Sequence, residues 1–176
     1  MKFLVVGLGS AGQRYARVIR EKFPKSDIYV FRGNHYMGLI SRDLVSIENE
    51  VDPVDFYGLI ELNRDSLKSF LFDFVVIATP VNSHFEYLKI LSKQSKKILI
   101  EKPICANLNE FNAISEIRSR FQVMLFAGYQ HRFNPLFIDI KNQIKCLNKP
   151  IQIEFVHQES LHQMNRFRNK IGRAHV

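Results

Sequence analysis

Glu101-Lys102-Pro103 places an ammonium between a carboxylate and a proline, directly after the apolar run Lys97-Ile98-Leu99-Ile100. Apolar runs of this kind form the strands of parallel sheets, and ligands bind at the carboxyl ends of such strands. An ammonium at that edge is partly desolvated, which suits Lys102 to proton transfer or to stabilising a developing alkoxide. The competing reading is a surface salt bridge between Glu101 and another residue. A second stretch is suited to binding anions. Gly7-Leu8-Gly9-Ser10-Ala11-Gly12 follows the apolar segment Lys2–Val6 and opens a helical pattern. Gly7 allows a tight turn, Gly9 lets the backbone approach a pyrophosphate, and Gly12 permits close helix–strand packing. Phosphates then meet free N–H groups and the positive end of the helix dipole. The candidate dinucleotide contacts here are Gly7, Gly9, Ser10, Ala11 and Gly12. A glycine-rich turn without a ligand is the alternative.

These residues need elements to hold them. Lys2–Val6, Ile28–Phe31, Asp73–Thr79, Lys97–Ile100 and Gln122–Gly128 read as strands, with a short one possible at Val54–Leu59. Between them, Ala11, Tyr15, Val18 and Ile19 recur at helical spacing, and a further helix is possible around 38–49. Asp65–Phe70 suggests a short helix. Ser83-His84-Phe85-Glu86 has the form of a capping box, and Asn107 with Glu110 reads as another helix start. Strands alternating with helices predict right-handed βαβ units wound into an open parallel sheet covered on both faces. After Pro135 a helix is expected over Leu136–Leu147, and then a strand at Ile151–Val156 that begins something new.

About 20 residues beyond the glycine loop, an NAD enzyme usually carries an acid for the ribose hydroxyls. Arg32 stands there instead, and Asp27 lies at the wrong end of its strand. A guanidinium binds a 2′-phosphate bidentately, so NADP is expected to be preferred over NAD. Arg32 stacked on adenine or turned to solvent is the other possibility.

Composition narrows the class. The chain has 176 residues, 46% of them hydrophobic, which fits a folded core rather than disorder. Its net charge of +8 comes from Lys and Arg spread along the chain among acids. That distribution argues against a nucleic-acid partner, and strongly salt-dependent DNA binding would be needed to revive one. The two cysteines, Cys105 and Cys146, have no metal-type spacing and imply neither a disulfide framework nor a zinc site. No stretch approaches the ~20 apolar residues of a membrane span, and no secretory signal is evident. The expectation is a soluble, cytoplasmic protein without membrane partners.

Four motifs now stand in order: Gly7–Gly12, Ala78-Thr79-Pro80-Val81-Asn82-Ser83-His84, Glu101-Lys102-Pro103, and Tyr129-Gln130-His131-Arg132-Phe133-Asn134-Pro135. Each is weak alone. Together they resemble the glucose–fructose oxidoreductase / inositol dehydrogenase (Gfo/Idh/MocA) family of NAD(P)-dependent oxidoreductases. The resemblance implies a Rossmann domain, a doubly wound parallel α/β sheet, over residues 1–130. It also implies the start of an α/β open-sheet substrate and oligomerisation domain over 131–170, incomplete here. It implies hydride transfer between nicotinamide and a hydroxyl-bearing carbon of a sugar, polyol or nucleotide-sugar. Lys102 would lie beside the reacting hydroxyl, its pKa lowered by partial burial and by Arg132 nearby. Ala78, Thr79, Pro80, Asn82 and His84 would line the cofactor, with Glu101 near the nicotinamide ribose and Arg132 at the substrate cleft. His84 capping or packing in its helix, and Arg132 in a structural ion pair, remain open. A sensor or scaffold that kept the fold without chemistry is the other class of function, although such a protein has no need of Lys102.

The tail Ile171-Gly172-Arg173-Ala174-His175-Val176 matches the translation of a common sequencing adaptor. Residues 171–176 are therefore expected to be non-native, and the chain to be a piece of a longer one. Further active-site residues of the family belong to the second domain. A piece without them is expected to bind dinucleotide weakly and not to turn over substrate, and the full-length protein to be a homo-oligomer.

Overall fold

A computed structural model describes residues 1–33, 37–42, 47, 51–147 and 152. The chain divides into two compact units, Met1–His131 and Arg132–Val176. The first holds a six-stranded parallel sheet in the order β3-β2-β1-β4-β5-β6. Its strands are β1 (Lys2–Val6), β2 (Asp27–Phe31), β3 (Ile60–Glu61), β4 (Phe74–Ile77), β5 (Lys97–Ile100) and β6 (Met124–Ala127). Its helices are α1 (Ser10–Lys22), α2 (Pro53–Tyr57), α3 (Val81–Leu91) and α4 (Leu108–Phe121), with a short 3-10 turn at Ser66–Lys68. This is the doubly wound Rossmann arrangement, with the strand order reversing between β1 and β4.

Apolar strands reach both faces because successive side chains alternate. In β1, Leu4 and Val6 pack with Val75, Ile77, Leu88, Leu91, Ile98 and Ile100 in one core. Phe3 and Val5 point the other way, to Leu8, Ala16, Ile19, Ile28 and Val30. Burying one such side chain fully is worth ~1.5–3 kcal/mol, so the central strands are anchored from both sides.

Two local expectations change. Val54–Leu59 is not a strand. Asp52 accepts from the Val54 amide, Pro53 sits in the first turn, and Gly58 closes α2 in the left-handed region at φ 59°. Those are start and stop signals of a one-turn helix, and the strand follows as Ile60–Glu61. The capping box at Ser83 also fails. The helix begins earlier, at Val81 with Pro80 before it, so Ser83 already lies inside α3. Its hydroxyl turns back to the Pro80 carbonyl and to Thr79 Oγ1, each at 2.8 Å, while Glu86 pairs with Arg64. The Asn107 cap does form: its side chain accepts from the Glu110 amide at 2.9 Å.

Between β2 and α2, residues 37–42 and 47 are not helical, and the rest of the helix anticipated at 38–49 lies outside the described residues. Gln13, buried in α1, holds this segment: its amide donates to the Leu8 and Gly38 carbonyls and its oxygen accepts from the Ile40 amide. The second unit contains α5 (Pro135–Lys145), capped by the Asn134 side chain on the Leu136 amide. The strand anticipated at Ile151–Val156 and the 171–176 tail fall outside the described residues, except residue 152.

Candidate active site

The motif residues are set side by side along the carboxyl edge of the sheet. Each strand's exit residue donates its amide to the last residue of the neighbouring strand: Gly7 to Phe31 (2.7 Å), Ala78 to Val6 (2.8 Å), Glu101 to Ile77 (2.9 Å) and Gly128 to Ile100 (2.8 Å). The glycine loop, the Ala78-Thr79-Pro80 turn and the Glu101 turn thus form one continuous rim. They are up to about 90 residues apart in sequence and are aligned only because β1, β4 and β5 pair in parallel.

The glycine loop fits a dinucleotide pyrophosphate. Gly7 has φ +88°, and a Cβ there would lie 2.8 Å from the Ala78 carbonyl oxygen. A Cβ on Gly12 would lie 1.9 Å from the Gly7 oxygen, so the helix can enter this close only without a side chain. Gly9 is the N-cap of α1, among the described residues no side chain caps that end, and its first turn carries no acid. The leading amides around Ser10 and Ala11 are therefore available to an anion.

At the β5 exit, Glu101 is drawn inward and Lys102 outward. Glu101 Oε1 accepts from the Tyr15 hydroxyl at 2.6 Å and pairs with Arg14 Nη2 at 3.3 Å, while Oε2 accepts from the Lys102 amide at 3.1 Å. Gly128 leaves the room, since a Cβ there would meet the Glu101 carboxyl at 3.1 Å. Burial, and then the hydrogen bond to Glu101, push the Tyr15 hydroxyl well above the usual phenol range. Glu101 does form an ion pair, in which the carboxylate is buried and the Arg14 side chain stays partly open to solvent. Lys102 itself is exposed, which corrects the expectation of partial burial: the strand ends at Ile100 and the chain has left the sheet by residue 102. Among the described residues no carboxylate lies within ion-pair distance of its Nζ. The Lys102–Pro103 bond is cis.

His84 is only 1% exposed. Its Nδ1 lies 2.9 Å from the Pro103 carbonyl oxygen and its Nε2 2.7 Å from that of Thr79. The imidazole therefore ties the turn after β4 to the turn after β5, and both ring nitrogens face backbone oxygens. Thr79 and Pro80 stand on the rim beside it, and Asn82 is exposed in the first turn of α3. Arg132 is exposed at the start of the second unit.

Arg32 follows β2 and is engaged on two sides. Nη1 donates to both oxygens of Asp52 (2.9 and 2.7 Å), and Nε and Nη2 donate to the two oxygens of Glu61 (each 2.7 Å). The hydrogen bonds to Glu61 lead in raising the guanidinium's pKa further, against the pull of burial. For Asp52, burial alone would raise the carboxyl; the Val54 amide and Arg32 outweigh it and hold the group below its ordinary value.

Arg14, Tyr15, Gly128, Asp52 and Glu61 were not legible as site residues in the sequence. Tyr15 reads there as part of the buried face of α1, and only its position three residues after Gly12 hints that it faces the rim. Asp52 lies in a weakly patterned stretch and Glu61 in a two-residue strand.

Comparison with known proteins bears on this rim. The profile of the Gfo/Idh/MocA family, described as "Oxidoreductase family, NAD-binding Rossmann fold", matches residues 1–129. The chain belongs to that family. It is 28% identical over 149 residues to scyllo-inositol 2-dehydrogenase (NAD(+)) of Bacillus subtilis, covering 84% of this chain and 41% of that protein. Among solved structures it is similar to scyllo-inositol dehydrogenase from Lactobacillus casei with bound NAD(H) and scyllo-inositol. There the TM-score is 0.63 at 18% identity, over 82% of this chain and 41% of that one. UDP-N-acetylglucosamine 3-dehydrogenase from Acidithiobacillus ferrooxidans gives a TM-score of 0.63 at 21% identity, over 81% and 41%. These structural likenesses show the fold. The chain spans about two fifths of the length of the relatives it matches.

Proposed function

We propose that this chain is the nucleotide-binding part of an NAD(P)-dependent oxidoreductase that moves a hydride between nicotinamide and a hydroxyl-bearing carbon of a polyol, sugar or nucleotide-sugar. The observation that carries the proposal is the continuous rim, which sets Glu101 and Lys102 beside a glycine loop shaped for pyrophosphate. The inositol dehydrogenases among its relatives support a polyol substrate.

When bound, the dinucleotide supplies the hydride acceptor or donor. The chain's own residues do the rest. The amides of Ser10 and Ala11 hold the phosphates, with Gly7 making the turn, Gly9 open to close approach and Gly12 letting α1 pack against that turn. Ala78, Thr79, Pro80 and Asn82 line the rim toward the nicotinamide end, and Glu101, fixed by Tyr15 and Arg14, accepts from the ribose there. Lys102 handles the proton of the reacting hydroxyl, or neutralises its developing negative charge. Arg132 is a further candidate for the substrate. His84 supports the Thr79 and Pro103 turns from beneath.

The test is to supply the full-length gene product with NAD or NADP and a panel of inositols, sugars and nucleotide-sugars, following nicotinamide absorbance. Substrate-dependent reduction is expected. Tight dinucleotide binding with no turnover on any of these compounds would favour a sensor instead.

A further inference from the structure

Arg32 has the side chain of a phosphate receptor but not the surroundings of one. In a doubly wound sheet the residue after β2 faces the ribose of the adenosine half. Here its Nε, Nη1 and Nη2 each donate to a carboxylate. Among the described residues, one positive group stands against two negative ones, a balance of −1 for these three side chains. The carboxylates keep acceptor capacity that the guanidinium has spent. Each has about four lone-pair sites, and the Glu61 and Asp52 side chains remain 40% and 25% exposed, against 16% for Arg32. The surface offered to a ligand is therefore acceptor-rich and negative. It suits the two hydroxyls of an unmodified ribose, which donate. It opposes a 2′-phosphate, which brings about −1.5 to −2 charges and would have to displace one of the acids.

We propose that Asp52 and Glu61, held together by Arg32, select NAD and reject NADP, the reverse of what Arg32 alone implies. They take the place of the single acid absent from the end of β2. The inference rests on the dehydrogenase reading of the site and adds to it which cofactor is used.

Calorimetric titration of the chain with NAD and NADP tests it. NAD is expected to bind at least tenfold tighter. The double variant Asp52→Asn, Glu61→Gln keeps side-chain size and leaves Asn as a helix cap for α2, while freeing the guanidinium. In it the preference should shrink at least tenfold, through a gain for NADP. If that variant fails to melt cooperatively by circular dichroism, Glu61→Gln alone should shift the ratio at least threefold in the same direction. NADP bound as tightly as NAD by the unaltered chain overturns the proposal, and so does an unchanged ratio in a folded variant. Binding of neither dinucleotide would remove the dehydrogenase reading itself, and this inference with it.

Discussion

Two arginines sit near the carboxyl edge of the sheet, and they are used in opposite ways. Arg14, at the β5 end, is one of three donors converging on a single acid: Arg14, the Tyr15 hydroxyl and the Lys102 amide all meet Glu101. Arg32, at the β2 end, is a single cation between two acids. The first region absorbs its negative charge and leaves Lys102 as the exposed cation. The second absorbs its positive charge and leaves carboxylate. The sign that each region presents is set by the count of partners, not by the residue standing at the motif position.

The sharpest way to break this contrast is at Lys102. If the β5 end exists to present a cation, Lys102→Ala in the full-length protein should lower kcat by about 10²–10⁴. Dinucleotide affinity should hold, because the glycine loop and Glu101 are untouched. Steady-state kinetics beside calorimetry reads both. Equal turnover by the variant would reduce Lys102 to a surface residue and leave only the β2 end with a defined role.

His84 tests whether the two turns around Lys102 are one unit. Removing a side chain wedged between the Thr79 and Pro103 carbonyls leaves at least one part-buried acceptor unpaired, at about 1–3 kcal/mol. His84→Ala should therefore lower the unfolding free energy in urea by at least that much. His84→Gln, which can reach one of the two oxygens, should recover part of it. No loss in either variant would mean that the β4 and β5 turns hold their places independently.

The contrast also explains what could be read in advance. The parallel sheet and the motifs at its strand ends were legible, because apolar runs, the glycine spacing and Glu101-Lys102-Pro103 are local patterns, and parallel pairing then sets them side by side. The charge balance of each end was not. Asp52 reaches Arg32 from 20 residues away and Glu61 from 29 residues away, and Glu101 reaches Tyr15 across 86. No periodicity records such pairings. The same blindness made Val54–Leu59 look like a strand: its β-branched and aromatic residues suit one, and the Asp52 and Gly58 caps decide otherwise.

Tyr15→Phe sharpens the comparison at the acid-holding end. It removes one charge-assisted hydrogen bond and keeps the ring, while Arg14 and the Lys102 amide still hold Glu101. The expected cost is about 1.5 kcal/mol of stability. If the phenol positions Glu101 for the ribose, the Kd for the dinucleotide should rise with it. A variant that melts earlier but binds unchanged would confine Tyr15 to packing. Alkaline titration adds a second readout. The hydroxyl's folded pKa is raised, so its contribution is complete below the unfolded value of about 10 and is lost as pH climbs through the folded one. Tyr15→Phe should flatten the alkaline fall.

The smallest effect lies at the β2 end and has the opposite pH sense. Asp52 is held below its ordinary pKa: burial alone would raise it, but the Val54 amide and Arg32 prevail. A depressed folded value means stability that is present above the unfolded value, about 3.9, and lost as pH falls through the folded one. The window is therefore acidic, below about pH 4. Asp52 is partly open to solvent, which screens the pair, so the contribution should stay near or below about 1 kcal/mol. Urea midpoints of the unaltered chain and Asp52→Asn should converge as pH drops through this window and stay apart above it. A gap that persists at the lowest pH would show that the variant loses packing rather than charge, and that Arg32 is held chiefly by Glu61.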